Sequence, residues 1–438
     1  MNQSKGKNMK RYLGFTSATV VATLVLATGC GSSTNTTSNN GSSAGESGNN
    51  GQKVTLEFLQ NKPEVVNEWN SLIKRFEQQN PNIQVKQINP PNTDTTLQAD
   101  LAKGQVPDIV AMGADATFIQ MAKNGVFKDL SGSPELQKVS KAYVNMLENE
   151  VGKPTPYAIP YTVNAVPIIY NVDLFNKYHL TIPKTWNQLM SEAQKIKQEG
   201  GTPFYNGFKD AWTIAPIWNA LSTNTEGPNF LKDLAAGKTT FVKSDAIAAN
   251  QLRQFTALGQ PNQFGVDYND ANSAFANGKS VFYAQGIWTL PVIRSDNPKI
   301  QLGTFVVPVT NDPSQIKMVS GVDSLLAVAN SGNASKEAAA MKFIDFLLQS
   351  KTAGQYATVA GLFSTVKGVK NTDPALAPLQ PYINSGRVVD FDDHYYPAAM
   401  AAGNQYESVL QGALSKNQSS SQLLQQLDSL YQSAAAHQ

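Results

Sequence analysis

Cysteine is the rarest reactive side chain in this sequence, with Cys30 standing alone in 438 residues. Disulfides and cysteine-rich metal sites are thereby excluded. Histidine is nearly as scarce, at His179, His394 and His437 only. That set leaves little from which to build a transition-metal cluster, and no metal or other cofactor is expected. Charged residues make up 16% of the chain and no basic stripe runs through it, which excludes nucleic acid as a partner. No G-x-x-x-x-G-K-[ST] loop is present to cradle nucleotide phosphates. The literal G-x-S-x-G at Gly41-Ser42-Ser43-Ala44-Gly45 has no strand before it and no helix after it, so it is no nucleophile elbow. Beyond the N-terminus, no apolar run is long enough to span a bilayer.

What is present begins with a positive head, Lys5, Lys7, Lys10 and Arg11, followed by the small and apolar run Tyr12 to Ala27. The run is short for a bilayer span and reads as a signal peptide over residues 1–29. It ends in Leu26-Ala27-Thr28-Gly29-Cys30, which resembles a bacterial lipobox with its leucine one place early and Ala27 three places before the cysteine. A cysteine used once, at that place, predicts cleavage and lipidation of Cys30. Cleavage would leave 31 of the 35 basic residues against 33 acidic ones, a net charge of −2. Residues 30–52 then form a lipid-anchored tether, because Gly31 to Gln52 offers almost nothing apolar to offset its ordering entropy. A flexible tether of that length reaches about 25 Å.

The remaining chain is long for one core, and two lobes are expected. Val54 to Phe58 alternates as a strand, and Glu64 to Gln79 carries Val65, Trp69, Leu72, Ile73 and Phe76 on one helical face. A strand at Ile83–Ile88, a helix at Thr93–Lys103, a strand at Asp108–Met112 and a helix opened by Asp115 follow. Strand–helix–strand at this spacing predicts an α/β fold with mainly parallel sheets flanked by helices. Thr185 reads as the N-cap of a helix through Gln198. Later, a helical phrase with Phe275 ends at Gly278, Val281–Ala284 forms a strand, Gln285-Gly286 a turn, and Ile287-Trp288 opens a helix. Gly286 there would let a ligand approach the backbone. Trp288, at a strand end and a helix start, is either the floor of a ligand site or a core tryptophan.

Several phrases in order carry a family resemblance. They are Phe76-Glu77-Gln78-Gln79-Asn80-Pro81, Gln105-Val106-Pro107-Asp108-Ile109-Val110, and Asn124-Gly125-Val126-Phe127-Lys128-Asp129-Leu130. Ile169-Tyr170-Asn171-Val172-Asp173-Leu174-Phe175, Ile182-Pro183-Lys184-Thr185-Trp186, and Phe275-Ala276-Asn277-Gly278-Lys279 with Gly286-Ile287-Trp288 complete the set. Together, from about Val54 to Gln432, they resemble the extracellular solute-binding proteins of carbohydrate ABC transporters, the maltose-binding-protein-like family. The resemblance implies a two-lobed periplasmic-binding-protein fold of type II, joined by hinge strands, with ligand in the cleft. Residues 53–164 and 309–370 would form the N-lobe, and residues 165–308 and 371–438 the C-lobe.

Sugar hydroxyls need fixed carboxylates and amides, and the apolar ring faces need flat aromatics. In the N-lobe, Gln60, Asn61 and Lys62 follow the first strand and Asp115 the third, with Asp115 either a ligand or a plain N-cap. Tyr161 and Asn164 either line the cleft or form hinge structure. The family commonly has an aromatic near Met112, absent here. In the C-lobe, Phe208-Lys209-Asp210-Ala211-Trp212 matches a family segment supplying a carboxylate, Asp210, and an aromatic, Trp212. Trp288 matches a stacking tryptophan, and Trp218 reads as core. Gly321 and Asp323 flank a strand start where the family hydrogen-bonds ligand. Asp393, Tyr395 and Tyr396, in the loop Asp392 to Tyr396, stand where a late aromatic is added, the alternative being a solvated acidic turn.

The resemblance implies a non-enzyme: a monomeric lipoprotein on the outer face of the cytoplasmic membrane. It would bind an oligosaccharide by hinged closure and deliver it to ABC permease transmembrane subunits served by a separate ATPase. The rival readings are a lipid-anchored glycoside hydrolase, a binding protein for a non-sugar solute, and a surface adhesin.

Overall fold

The computed structural model describes residues 53–90 and 93–436. The expected signal peptide and tether, with Cys30 between them, lie outside the described residues. Eleven strands are present among those described: β1 Val54–Gln60, β2 Ile83–Ile88, β3 Ile109–Met112, β4 Ile159–Val163, β5 Pro167–Asn171, β6 Phe282–Ala284, β7 Leu302–Val306, β8 Met318–Val319, β9 Val322–Val328, β10 Phe363–Ser364 and β11 Val388–Val389. They form a six-stranded sheet in the order β10-β4-β9-β3-β1-β2, a three-stranded sheet β6-β5-β7, and the pair β11-β8. Helices flank both larger sheets, giving a two-lobed α/β fold. No helix among the described residues is long and apolar enough to cross a membrane.

The parallel pairing expected from βαβ spacing holds for β1 with β2 and β3. Elsewhere it is corrected. β9 runs antiparallel to both β3 and β4, and β5 antiparallel to β6 and β7. The reason is where the chain crosses. β4 leaves the first sheet at its C-terminal end, so a segment re-entering beside it at that end must run the other way.

Local chemistry explains the elements. Helix Val66–Gln79 buries Trp69, Leu72, Ile73 and Phe76 at helical spacing, while Glu64 and Val65, expected inside it, belong to the 3-10 turn Pro63–Val65, suited to proline's fixed φ. Thr185 caps helix Trp186–Gln198 by accepting from the Gln188 amide at 3.2 Å. Behind the large sheet, Trp69 packs against Phe58 at 4.9 Å, Tyr356 at 4.4 Å and Tyr161 at 5.9 Å between ring centroids. Such aromatic pairs add about 0.5–1.5 kcal/mol each beyond the area they bury.

Three short crossings join the sheets and bond one another side by side. The Val166 amide donates to Val319 O at 3.0 Å, Met318 to Arg387 O at 3.0 Å, and Ser320 to Val389 O at 2.9 Å.

The helical layer of the second lobe holds an expensive residue. Asp245 is fully buried, and neither carboxylate oxygen has a hydrogen-bond partner. Burial, then the charges of Asp392 and Asp428, push its carboxyl well above the ordinary value. The folded state therefore keeps a proton that the unfolded chain releases above about pH 3.9, so folding stability falls as pH rises from that point. Asp245→Asn is expected to flatten this decline and to add at least about 1.4 kcal/mol at pH 8, because the amide stays uncharged without taking up a proton. Denaturant titrations at pH 5 and pH 8 check it, and equal slopes in both proteins would refute the assignment.

Candidate functional site

The first-lobe edge of the site grows from the ends of β1, β3 and β9. Gln60 closes β1 and is 1% exposed. Its side chain accepts from the Lys62 amide at 2.7 Å and donates to Gln87 at 3.0 Å. Its expected role facing a ligand is therefore corrected: the buried amide shapes the 60–62 turn instead. Asn61 is half-buried, with no side-chain hydrogen bond among the described residues. Lys62 reaches across the lobe to Asp323 at the start of β9, and the two make an ion pair. Both side chains keep about a fifth of their surface exposed, at 21% and 17%. Asp115 takes the N-cap alternative, accepting from the Phe118 amide at 3.0 Å.

The crossing residues separate. Tyr161 is fully buried in the aromatic cluster behind the sheet, and its hydroxyl donates to Leu347 O at 3.3 Å. It is core, which corrects its assignment as a ligand residue, because its alternation on β4 turns it to the packed face. Asn164 is hinge structure. Its Oδ1 accepts from the Gly321 amide at 2.9 Å and its own amide donates to Gly321 O at 3.1 Å. Gly321 is used fully by this exchange, and a Cβ on it would lie 3.1 Å from both Phe391 and His394.

In the second lobe, half-buried Asp210 accepts from the Tyr268 amide at 2.9 Å. Half-buried Trp212 lies on the Tyr268 ring at 4.8 Å. The carboxylate and the indole are thus braced by one residue. Trp288 follows β6 and precedes helix Thr289–Asp296, two residues after Gly286. The Ile287 amide donates to Ala165 O at 3.0 Å, which seats this turn on the first crossing. A Cβ on Gly286 would meet the Trp288 indole at 2.0–2.2 Å. The space above this glycine therefore holds the protein's own indole, not an approaching ligand as the sequence implied. Trp288 rests against the second-lobe core yet stays partly exposed, unlike Trp218, which is fully buried as expected.

The late loop does not join these residues. Tyr396 is 6% exposed, edge-on to Phe241 at 5.7 Å and Tyr406 at 5.6 Å. It is core, another correction. Tyr395 donates to Asp390 at 3.0 Å, and both line a separate cavity of about 890 Å³ beside β11 that contains neither Trp212 nor Trp288. Asp393 is half-buried, with one oxygen lacking a partner. Beside Asp390 stand His394 and Glu150, the latter unnoticed in the sequence. Burial pushes the Glu150 carboxyl up to about 8. Burial also opposes charge on His394, but Asp390 and Glu150 hold it protonated well above its ordinary value. A signal for Glu150 did exist: it falls on the apolar face of helix Lys141–Val151 with Tyr143, Met146 and Leu147.

Two α/β lobes joined by bonded crossings, with the partly exposed Trp288 seated by its turn on one crossing and the Lys62–Asp323 pair at the start of β9, describe a solute-binding architecture. The family profile described as bacterial extracellular solute-binding protein matches residues 62–354, and the chain belongs to that family. The Multiple sugar-binding protein of Streptococcus mutans is 30% identical over 352 residues, covering 78% of this chain and 81% of that protein. The apo form of RafE from Streptococcus pneumoniae superposes with a TM-score of 0.76 at 24% identity, over 88% of this chain and 98% of its own. RafE in complex with raffinose gives a TM-score of 0.69 at 24% identity, over 87% and 100%.

Gly286 has no left-handed backbone, so alanine is barred there only by the indole. Gly286→Ala is expected to expel the Trp288 ring, with a red-shifted tryptophan emission and a cost of about 1–3 kcal/mol. Unchanged emission and stability would mean that the ring does not rest there in solution.

Proposed function

We propose that this protein is the substrate-binding lipoprotein of an ABC importer, capturing an oligosaccharide between its lobes. The observation that carries the reading is Trp288: a partly exposed indole held against Gly286 beside the first crossing. A rigid aromatic platform next to a hinge suits the apolar face of a sugar ring. Asp210, Trp212 and Asn61 supply further stacking and hydroxyl partners, and the Lys62–Asp323 pair offers a charged donor and acceptor. The similarity to proteins named for multiple sugars and for raffinose supports an oligosaccharide over a monosaccharide. The lobes close by bending at the three crossings, and the closed form docks on a separate permease with its own ATPase. In this reading the lobes divide at the three crossings, near residues 165, 319 and 388. The expected 308/309 and 370/371 boundaries move later, and Val309 and Thr310 stay with the second lobe because they bond Gln251 and Trp186. The protein is not an enzyme and acts as a monomer at the outer face of the membrane, held by acylated Cys30.

A thermal-shift panel of di-, tri- and tetrasaccharides, with raffinose among them, tests the reading, since a tight ligand raises the unfolding midpoint by mass action. Trp288→Ala should weaken the best ligand more than tenfold, about 1.4 kcal/mol, without unfolding the protein. Cleavage of any sugar in the panel would instead make the protein a glycoside hydrolase. For the anchor, Cys30→Ser should move the protein from the membrane fraction to the medium and abolish palmitate labelling. Retention of label would put the acyl group elsewhere.

A further inference from the structure

Behind the crossings, three side chains from two parts of the chain converge: Glu150 from helix Lys141–Val151, and Asp390 and His394 from the segment after β11. One ligand atom from each lies within 4.8 Å of the others. His394 Nδ1 is 2.9 Å from Asp390 Oδ1 and 3.5 Å from Glu150 Oε1. A first-row divalent ion with bonds of about 2.0–2.2 Å holds neighbouring ligand atoms at about this separation.

The Glu150 side chain is entirely buried, and neither of its oxygens finds a hydrogen-bond partner. His394 Nδ1 is likewise without a properly directed hydrogen bond. The two buried carboxylates share the single imidazolium of His394, and a divalent ion that displaces its proton would supply the positive charge the pair lacks. His394 is the one basic group of the cluster, and it faces two acids at once. A supporting shell is already in place. Tyr395 donates to the second Asp390 oxygen at 3.0 Å, and the Phe391 amide donates to the first at 2.9 Å. Such outer contacts orient ligands in metal sites. An entry path exists as well, since Asp390 and Tyr395 line the 890 Å³ cavity.

We propose that Glu150, Asp390 and His394 form a binding site for a divalent transition-metal ion. One imidazole and two carboxylates suit zinc or a neighbouring first-row ion, with water completing the shell from the cavity. The site is separate from Trp212 and Trp288 and independent of which solute fills the cleft. It also links two elements that flank the crossings. The 390–394 segment is fastened to helix Ala215–Thr225, the Asp392 amide donating to Asn219 at 2.8 Å and Ser222 to the Asp392 carboxylate at 2.6 Å. Glu150 belongs to the helix whose Tyr143 hydroxyl bonds Ser320 at 2.7 Å. A bound ion would therefore clamp the two halves behind the hinge.

Full-length protein, purified in detergent and stripped with EDTA, is titrated with zinc by calorimetry, and its metal content is measured by mass spectrometry. One zinc per chain is expected, with His394→Gln and Glu150→Gln each weakening binding by at least about tenfold. Circular dichroism confirms that each variant is folded. If a variant does not fold, cobalt added to the wild-type protein replaces that comparison: visible d–d bands of a low-symmetry nitrogen–oxygen site support the proposal. Absence of zinc uptake, absence of those bands, or folded variants that bind zinc as the wild type does would each overturn it.

Discussion

The reciprocal bonding of Asn164 with Gly321 is the constraint on which the rest of the molecule depends. Two strands pass between the lobes here, and they exchange a backbone hydrogen bond and a side-chain one at the same point. Gly321 has no side chain, so Phe391 and His394 approach from one face. On another edge, the turn that carries Trp288 is pinned to Ala165, the next residue along. The crossings thus act as a common ruler. They fix how the platform of one lobe and the Lys62–Asp323 pair of the other stand relative to a shared axis.

The same crossings explain the sheet directions. The chain leaves and re-enters each lobe at one end, and that geometry, not local propensity, sets β9 antiparallel to its neighbours. A βαβ argument sees only consecutive strands. It was sound for β1 to β3, where the connections are local, and had no purchase on a strand arriving from 140 or more residues away, as β9 does to pair with β4.

Most elements were legible from hydrophobic spacing and caps. Trp69, Leu72, Ile73 and Phe76 announced their helix, Thr185 its cap, and Trp218 its burial, while for Asp115 the sequence left cap and ligand roles open. Site residues were legible by type and position along the chain but not by orientation. Tyr161 and Tyr396 are aromatics in suggestive phrases that face the core, and Gln60 is an amide that serves its own turn. Glu150 stood out only as a carboxylate on an apolar helical face, and that signal names no role until its partners are known, which lie 240 or more residues further on.

By itself the sequence determined the order of the elements, the identity of the helix caps, the single cysteine placed after an apolar leader, and the phrases that mark the family. These depend on interactions within a few residues, where backbone sterics and side-chain periodicity act directly. Only the tertiary structure decided which polar groups are already engaged with one another. Lys62 meets Asp323 across 261 positions, Trp288 covers the glycine that seemed to leave room for a ligand, and His394 stands between two acids. The physical reason is that hydrogen bonds and ion pairs are decided over a few ångströms of space, and separation along the chain carries almost no information about that distance.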